Sequence, residues 1–295
     1  MFILIRLPMN RFMLACLIVC FYNVSHAQYY FYNGKYFDKD VIVQVGVSAN
    51  AMNCITDLGD KAIDIKNFKP AGGIYTGVLY RDVIGARLEA TWGSVTATDA
   101  HASQPDLLLR NLNFTSNITE IDLLAELHPF NIKYRPDGLP ALSPYLLAGA
   151  GIFSFDPKAK LNGQYYFLQR LHTEGQGFAE TGRPNYKLSQ LIIPLGGGLA
   201  YELSELFTIK GEALYRILNT DYLDDVSTTY IDPALFDKYL SPYDAALVKQ
   251  LYFRSNEITN DGSLPAVRRG SKKKDAYYSI NIKVEITLGR AKRSR

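Results

Sequence analysis

From Tyr278 to Leu288 the chain alternates without a break: Tyr278, Ile280, Ile282, Val284, Ile286 and Leu288 fall on one face of an extended strand, and Ser279, Asn281, Lys283, Glu285 and Thr287 on the other. Residues 207–217 repeat the pattern, with Phe207, Ile209, Ala213, Tyr215 and Ile217 opposing Thr208, Lys210, Glu212 and Arg216, and only Leu214 out of step. In residues 84–92, Ile84, Ala86, Leu88, Ala90 and Trp92 oppose Arg87, Glu89 and Thr91. A fourth run sets Thr119, Ile121, Leu123, Ala125 and Leu127 against Glu120, Asp122, Glu126 and His128. Weaker alternation begins at Val41, Gly72, Pro144 and Gln190. The pattern predicts eight strands, each near the ~9–11 residues that a tilted strand needs to cross a membrane.

The links between these strands alternate in length. "RDV" joins the second strand to the third and "SEL" the sixth to the seventh, while the fourth and fifth are joined by the Pro-rich "PFNIKYRPDGLPALS". The links after the first, third, fifth and seventh strands are long, the last above 50 residues, against a usual median of ~4–6. In an up-and-down barrel alternate links emerge at opposite rims, so one rim of short turns should face the periplasm and one of long loops the outside. A soluble sandwich would also alternate, with apolar faces together and charges in water, but it gives no reason to sort loops by length. The expected fold is all-β: an eight-stranded antiparallel up-and-down outer-membrane β-barrel with long extracellular loops over residues 28–289.

Composition agrees, since 13% of residues are aromatic and 21 are Tyr, a content that suits the interfacial girdles of such barrels. Residues 1–27 read as a signal peptide: Arg6 and Arg11 precede an apolar run from Phe12 to Val24, and Ser25-His26-Ala27 places cleavage between Ala27 and Gln28. Lipidation is disfavoured because Val19 before Cys20 is too large and the apolar run before Cys16 too short. Cleavage leaves Cys54 as the sole cysteine and so excludes an intramolecular disulfide. Losing two arginines takes the formal charge from +3 to +1, and the basic tail at 290–295 holds four of the remaining cations. That balance argues against a nucleic-acid partner; the expected surroundings are the outer-membrane lipid bilayer.

Eight strands enclose only enough space for side chains. The inward set would include Arg87, Glu89, Glu120, Asp122, Glu126, Lys210, Glu212, Arg216, Lys283 and Glu285, four cations against six acids. A paired polar plug is therefore expected in preference to a pore, with an ion path through these charges as the competing reading. The one acidic concentration is "TDYLDDVSTTY", with Asp221, Tyr222, Asp224 and Asp225. A pair formed by His172 with Asp221 or Asp225 could activate water, and three carboxylates could hold a hard cation weakly, but the spacing demands neither. An ordered acidic loop is expected, with a partner contact as the alternative, and no catalytic residue, metal or cofactor. "LGGGLAY" lacks dinucleotide spacing and a following helix, so close strand packing or a bend is the better account. "RRGSKKKD" from Arg268 reads as a basic loop tip.

The stretches "NFTSNITEIDLLAELHPF", "SPYLLAGAGIFSFDPKAKLNGQYYFLQRLHTEGQG", "YKLSQLIIPLGGGLAYEL" and "TDYLDDVSTTYIDP" occur in that order over about residues 113–233. They resemble the PorG-type, or DUF6089-type, outer-membrane barrels of the type IX secretion system. The most specific feature is the combination of "LHTEGQG", holding His172, Thr173, Glu174, Gly175, Gln176 and Gly177, with "DYLDDVSTTY". The resemblance implies a non-enzymatic barrel of a protein secretion apparatus, in contact with a periplasmic ring of a lipoprotein and a partner subunit. It carries over no catalytic residue. One departure is the run past Leu288 into "GRAKRSR", where many outer-membrane barrels end on an aromatic residue. Alternatives are a surface adhesin, an outer-rim enzyme barrel or a small pore.

Overall fold

The structure, a computed structural model, describes residues 36–61, 63–134, 142–204, 206–259 and 274–292. The expected cleavage site at Ala27 and Gln28, most of the basic run from Arg268 and residues 293–295 of the tail lie outside the described residues. Ten strands follow in chain order: β1 (Tyr36–Ile55), β2 (Lys69–Tyr80), β3 (Ile84–Thr98), β4 (Asn113–Leu127), β5 (Leu142–Phe155), β6 (Lys158–Leu161), β7 (Gln164–Phe167), β8 (Ser189–Glu202), β9 (Phe207–Leu218) and β10 (Ala276–Lys292). All but β6 and β7 form one antiparallel ring, in which β1 pairs with β10 and β3 with β4. This is the closed eight-stranded barrel that the alternation predicts. Closure pairs the wall's backbone groups within the wall, which lets a sheet stand in lipid.

The wall has an apolar outside and a polar inside. Leu191, Ile193, Ile282, Ile121 and Leu123 point outward and are more than half exposed. The charged residues at alternate positions are buried. Along β9 the order is unbroken, outward at Phe207 and inward at every second residue through Leu218. Leu214, the residue out of step in polarity, keeps its inward place and packs with Leu124, Tyr145, Leu147 and Ala200.

Three layers fill the interior. At the long-loop end Met52, Val95, Phe114, Ile118, Phe153 and Tyr277 join loop residues Leu223 and Val226 in an apolar plug. The middle is an ion network. Arg87 lies 3.3 Å from Glu89, 3.5 Å from Glu126 and 2.7 Å from Glu212. Lys283 bridges Glu89 at 2.6 Å and Glu212 at 3.0 Å, Lys210 bridges Glu126 at 3.0 Å and Glu285 at 2.8 Å, and Arg216 meets Glu120 at 2.9 Å. Hydroxyls of Tyr75, Tyr145 and Tyr277 donate to Glu285, Glu212 and Glu120. Asp122 is buried beside this network. At the short-turn end a cavity of about 40 Å³ remains, lined by Gln44, His128, Ser143 and Glu285 among others.

Glycines make the network fit. A Cβ on Gly151 would stand 1.8 Å from Asp122 Oδ1, and one on Gly198 would meet Gly211 O at 2.3 Å and the Tyr145 hydroxyl at 2.8 Å. The glycine run in β8 thus serves close strand packing.

Among the described residues four α-helices lie outside the wall: α1 (Pro105–Arg110), α2 (Pro129–Tyr134), α3 (Ala234–Tyr239) and α4 (Pro242–Tyr252). Ser241 caps α4 by accepting from Asp244 N at 3.1 Å, with Pro242 in the first turn. α3, α4 and the β6–β7 hairpin, which turns through Asn162 and Gly163 at φ 51 and 85, share a second apolar core around Phe236, Val248 and Tyr252.

Replacing Arg87 with Met leaves Glu89, Glu126 and Glu212 short of a cation and should cost about 3–5 kcal/mol. Guanidinium unfolding in lipid vesicles measures it, and an unchanged midpoint would show that the network does not hold the fold. Gly151→Val should abolish heat-modifiable migration.

Candidate functional site

The two signature stretches lie in different outer loops and fold into one body. His172 and Gly175 take left-handed conformations at φ 50 and 71, which lets Gly175 N donate to His172 O at 2.7 Å. A Cβ on Gly175 would meet Thr181 Cγ2 at 2.6 Å, so glycine is needed on both counts. Thr173 Oγ1 and, at 2.7 Å, the Tyr186 hydroxyl donate to Asp225. Glu174 Oε1 accepts from the backbone N–H groups of Ser227 at 3.0 Å and Thr228 at 3.2 Å, and the Thr228 hydroxyl donates to Oε2. Gln176 accepts from Glu174 N at 3.1 Å, and Gly177 N donates to Arg183 O at 2.7 Å. Ser227 Oγ donates to Asp221 at 2.8 Å, while Tyr222 stacks on Tyr186 with centroids 4.6 Å apart. Burial, and after it the Glu174 carboxylate, pushes the Tyr222 hydroxyl up to about 12.

A second acidic group ties the first, second and fourth outer loops together. Asp99 accepts from Arg110 Nε at 2.7 Å and Nη2 at 2.8 Å, and from Leu112 N and Gly59 N at 3.0 Å each. Arg110 also donates to Asp57 O at 2.6 Å. Asp224 accepts from Asp57 N at 3.0 Å and from Val226 N at 2.9 Å, and Asp275 from Leu223 N at 2.8 Å. Burial, then the nearby Asp57, holds the Asp224 carboxyl well above the usual range; burial, then Asp224, does the same for Asp275.

These contacts decide what the acids can do. Asp221 and Asp225 are engaged by hydroxyls of the cap, and His172 leans on Phe178 with centroids 5.7 Å apart. No His–Asp hydrogen bond for activating water is formed between His172 and either aspartate. Among the described residues no group of three or more His, Cys, Asp and Glu is arranged to hold a metal ion.

At the opposite rim Glu126 and His128, both on the polar face of the fourth alternating run, join in a file with Ser143 and Asn131, which the strand pattern did not single out. His128 Nε2 is 2.8 Å from Glu126 Oε1 and Nδ1 is 3.0 Å from Ser143 Oγ. The order Ser–His–Glu is that of a hydrolase triad, but Ser143 Oγ donates to Asn131 Oδ1 at 2.9 Å and Asn131 Nδ2 to Asp82 O at 2.7 Å. A serine whose proton goes to an amide oxygen is not an activated nucleophile, and the adjoining cavity holds about one water. The file locks α2 and β5 to the short-turn rim. Its one sequence signal is that His128 stands two residues beyond Glu126, on the same strand face.

The contact of Asp224 with Asp57 left no local signal, because the partners come from separate loops, and Arg110 reaches Asp99 only because the loop of 99–112 folds back on itself. The lumen charges Arg87, Glu89, Glu120, Asp122, Lys210, Glu212, Arg216, Lys283 and Glu285 all lie inside the wall.

No family model matches the chain, and no curated protein matches its sequence. Solved structures similar to it include Neisserial surface protein A, at 10% identity over 85% of this chain and 98% of that one with a TM-score of 0.38. Ail of Yersinia pestis matches at 8% identity over 85% and 100%, TM-score 0.40, and OprG from Pseudomonas aeruginosa at 11% over 85% and 97%, TM-score 0.39. Here the strand register itself establishes the eight-stranded ring.

Asp225→Ala strands two buried hydroxyl donors at about 1–3 kcal/mol each, so protease should cut the third and fourth outer loops roughly tenfold faster or more while the barrel stays heat-modifiable. Equal cutting rates would show that the two stretches do not brace each other.

Asp224 and Asp275 give the cap a pH dependence of known sign. Their folded values lie above the ~3.9 of an exposed Asp, so the folded cap binds more protons than the unfolded chain. The stability they contribute is fully present below about pH 4 and is lost as pH rises through the folded values. Hydrogen exchange in the outer loops, corrected for intrinsic rates, should show protection falling from pH 4 to pH 8, with a shallower slope in Asp224→Asn.

Proposed function

We propose that the chain resides in an outer membrane as a non-enzymatic barrel of a protein secretion apparatus of the type IX kind. In this reading it anchors or contacts a periplasmic ring built from a lipoprotein and a partner subunit. The observation that carries it is the closed interior: apolar plug, ion network and hydrogen-bonded rim fill the described barrel apart from the cavity of about 40 Å³ at the short-turn end. Such a barrel offers its rims to partners and its lumen to nothing. The residues quoted for the resemblance supply the secretion assignment. The short-turn rim, where β1 begins, β10 ends and α2 exposes Phe130 and Ile132, is the surface available to a periplasmic partner.

A surface module is the second reading, favoured by one observation. The outer loops are folded, with an apolar core of their own and exposed Tyr165, Tyr239 and Tyr243.

A strain lacking the gene should retain cargo proteins that bear a C-terminal sorting domain, and complementation should release them to the medium. Normal export in the deletion strain would remove the secretion role and put the surface reading first. In planar bilayers the refolded protein should give no conductance steps; a steady open conductance would overturn the closed anchor in favour of a pore.

A further inference from the structure

The β6–β7 hairpin continues the barrel wall above the point where β5 leaves it. Lys158 pairs with Thr115 of β4, and directly opposed residues of antiparallel strands put their side chains on one face. Thr115 belongs to the outward series of β4 that includes Thr119 and Ile121. Lys158 and Lys160, with Phe167 and Tyr165 opposite them, therefore extend the lipid-facing side, while Ala159 and Leu161 are buried in the cap.

Register gives the height. Trp92, outward and 48% exposed, pairs with Thr119, four residues below Thr115. At ~3.3 Å per residue and a tilt of ~40° the hairpin stands about 10 Å above this girdle residue, level with lipid headgroups and clear of acyl chains.

The chemistry at that height is specific. Tyr165 and Phe167 are 56% and 42% exposed. Lys158 lies 4.7 Å and Arg170 5.1 Å from the Phe167 ring centre, and Lys160 lies 5.8 Å from that of Tyr165. Asp156 pairs with Lys158 at 2.8 Å; among the described residues Lys160 and Arg170 enter no ion pair. The rings, two strand positions or about 7 Å apart, present flat apolar faces between Lys160 and Arg170, which enter no ion pair among the described residues, and Lys158, which shares its charge with Asp156.

We propose that this face binds the phosphate-bearing sugar headgroup of an outer-leaflet glycolipid. Phosphates meet Lys160, Arg170 and Lys158, the sugar ring lies on Tyr165 and Phe167, and the acyl chains run down the apolar wall below. The inference rests on the outer-membrane reading above.

The test uses full-length protein in phosphatidylcholine nanodiscs, titrated with a diphosphorylated glucosamine-disaccharide glycolipid and with its dephosphorylated form. Wild type should bind the phosphorylated form roughly tenfold tighter or more. Lys158→Ala with Lys160→Ala and Arg170→Ala should erase that preference, and Tyr165→Ala with Phe167→Ala should weaken both forms. Equal affinity for both forms in wild type, a preference undiminished in the triple variant, or equal competition by phosphatidylglycerol would overturn the proposal. So would a soluble sulfated polysaccharide that needs the three cations when the glycolipid does not. Heat-modifiable migration separates the two readings: a wild type that fails to insert overturns the membrane assignment and this site with it, whereas an inserted protein with no phosphate preference overturns this site alone.

Discussion

Arg87 brings a positive charge into the barrel's middle, where Glu89, Glu126 and Glu212 approach from three strands, and the rest of the architecture depends on that meeting. Buried ion pairs are weak evidence for stability, because desolvation offsets most of their attraction. Their force here is in what they forbid. Sliding one strand by a single residue would turn its charges onto the apolar outer face; in a bilayer each Arg or Lys so placed would cost about 2–4 kcal/mol near the midplane. Every cation of the network bridges acids from other strands, so the charges fix registers jointly. Once they are fixed, the strand ends are fixed too, and with them the places where loops begin.

The outer loops inherit this order. Inward residues from the strand tops, such as Met52, Val95 and Phe153, form an apolar floor on which Leu223 and Val226 of the fourth loop sit. Above that floor the loops are held by carboxylates that accept from backbone N–H groups and hydroxyls of other loops. Acids used in this way do structural work only while their donors stay in place, which makes the cap a cooperative unit separate from the wall. Asp224 and Asp275, whose carboxyls burial raises above the usual range, make that unit sensitive to pH in a way the apolar floor is not.

Period two was legible because the two sides of the wall meet opposite surroundings. β3, β4, β9 and β10 carry charges inward and branched apolar residues outward, and their alternation is plain. β1, β5 and β8 read more weakly because Gly46, Gly151 and Gly198 hold positions where Tyr75, Asp122 and Tyr145 need the space. The cap was not legible. Thr173 reaches Asp225 across 52 residues and Asp57 reaches Asp224 across 167, and its helices span 6 to 11 residues, too short for periodicity to declare them. A dense stretch of Asp, Tyr and Thr looks like chemistry in one dimension; in three, each carboxylate is answered by a hydroxyl or an amide.

A filled interior also separates the two rims physically. The His128 file and the signature loops stand at opposite ends of a packed column in which side chains interlock on every level. Packed interiors have few alternative arrangements, so a partner seated at one rim has no soft element through which to alter the other. The strongest exposed chemistry at the outer end is the cation and aromatic face of β6 and β7, which stands above Trp92 on the outside of the wall because Lys158 is paired to Thr115.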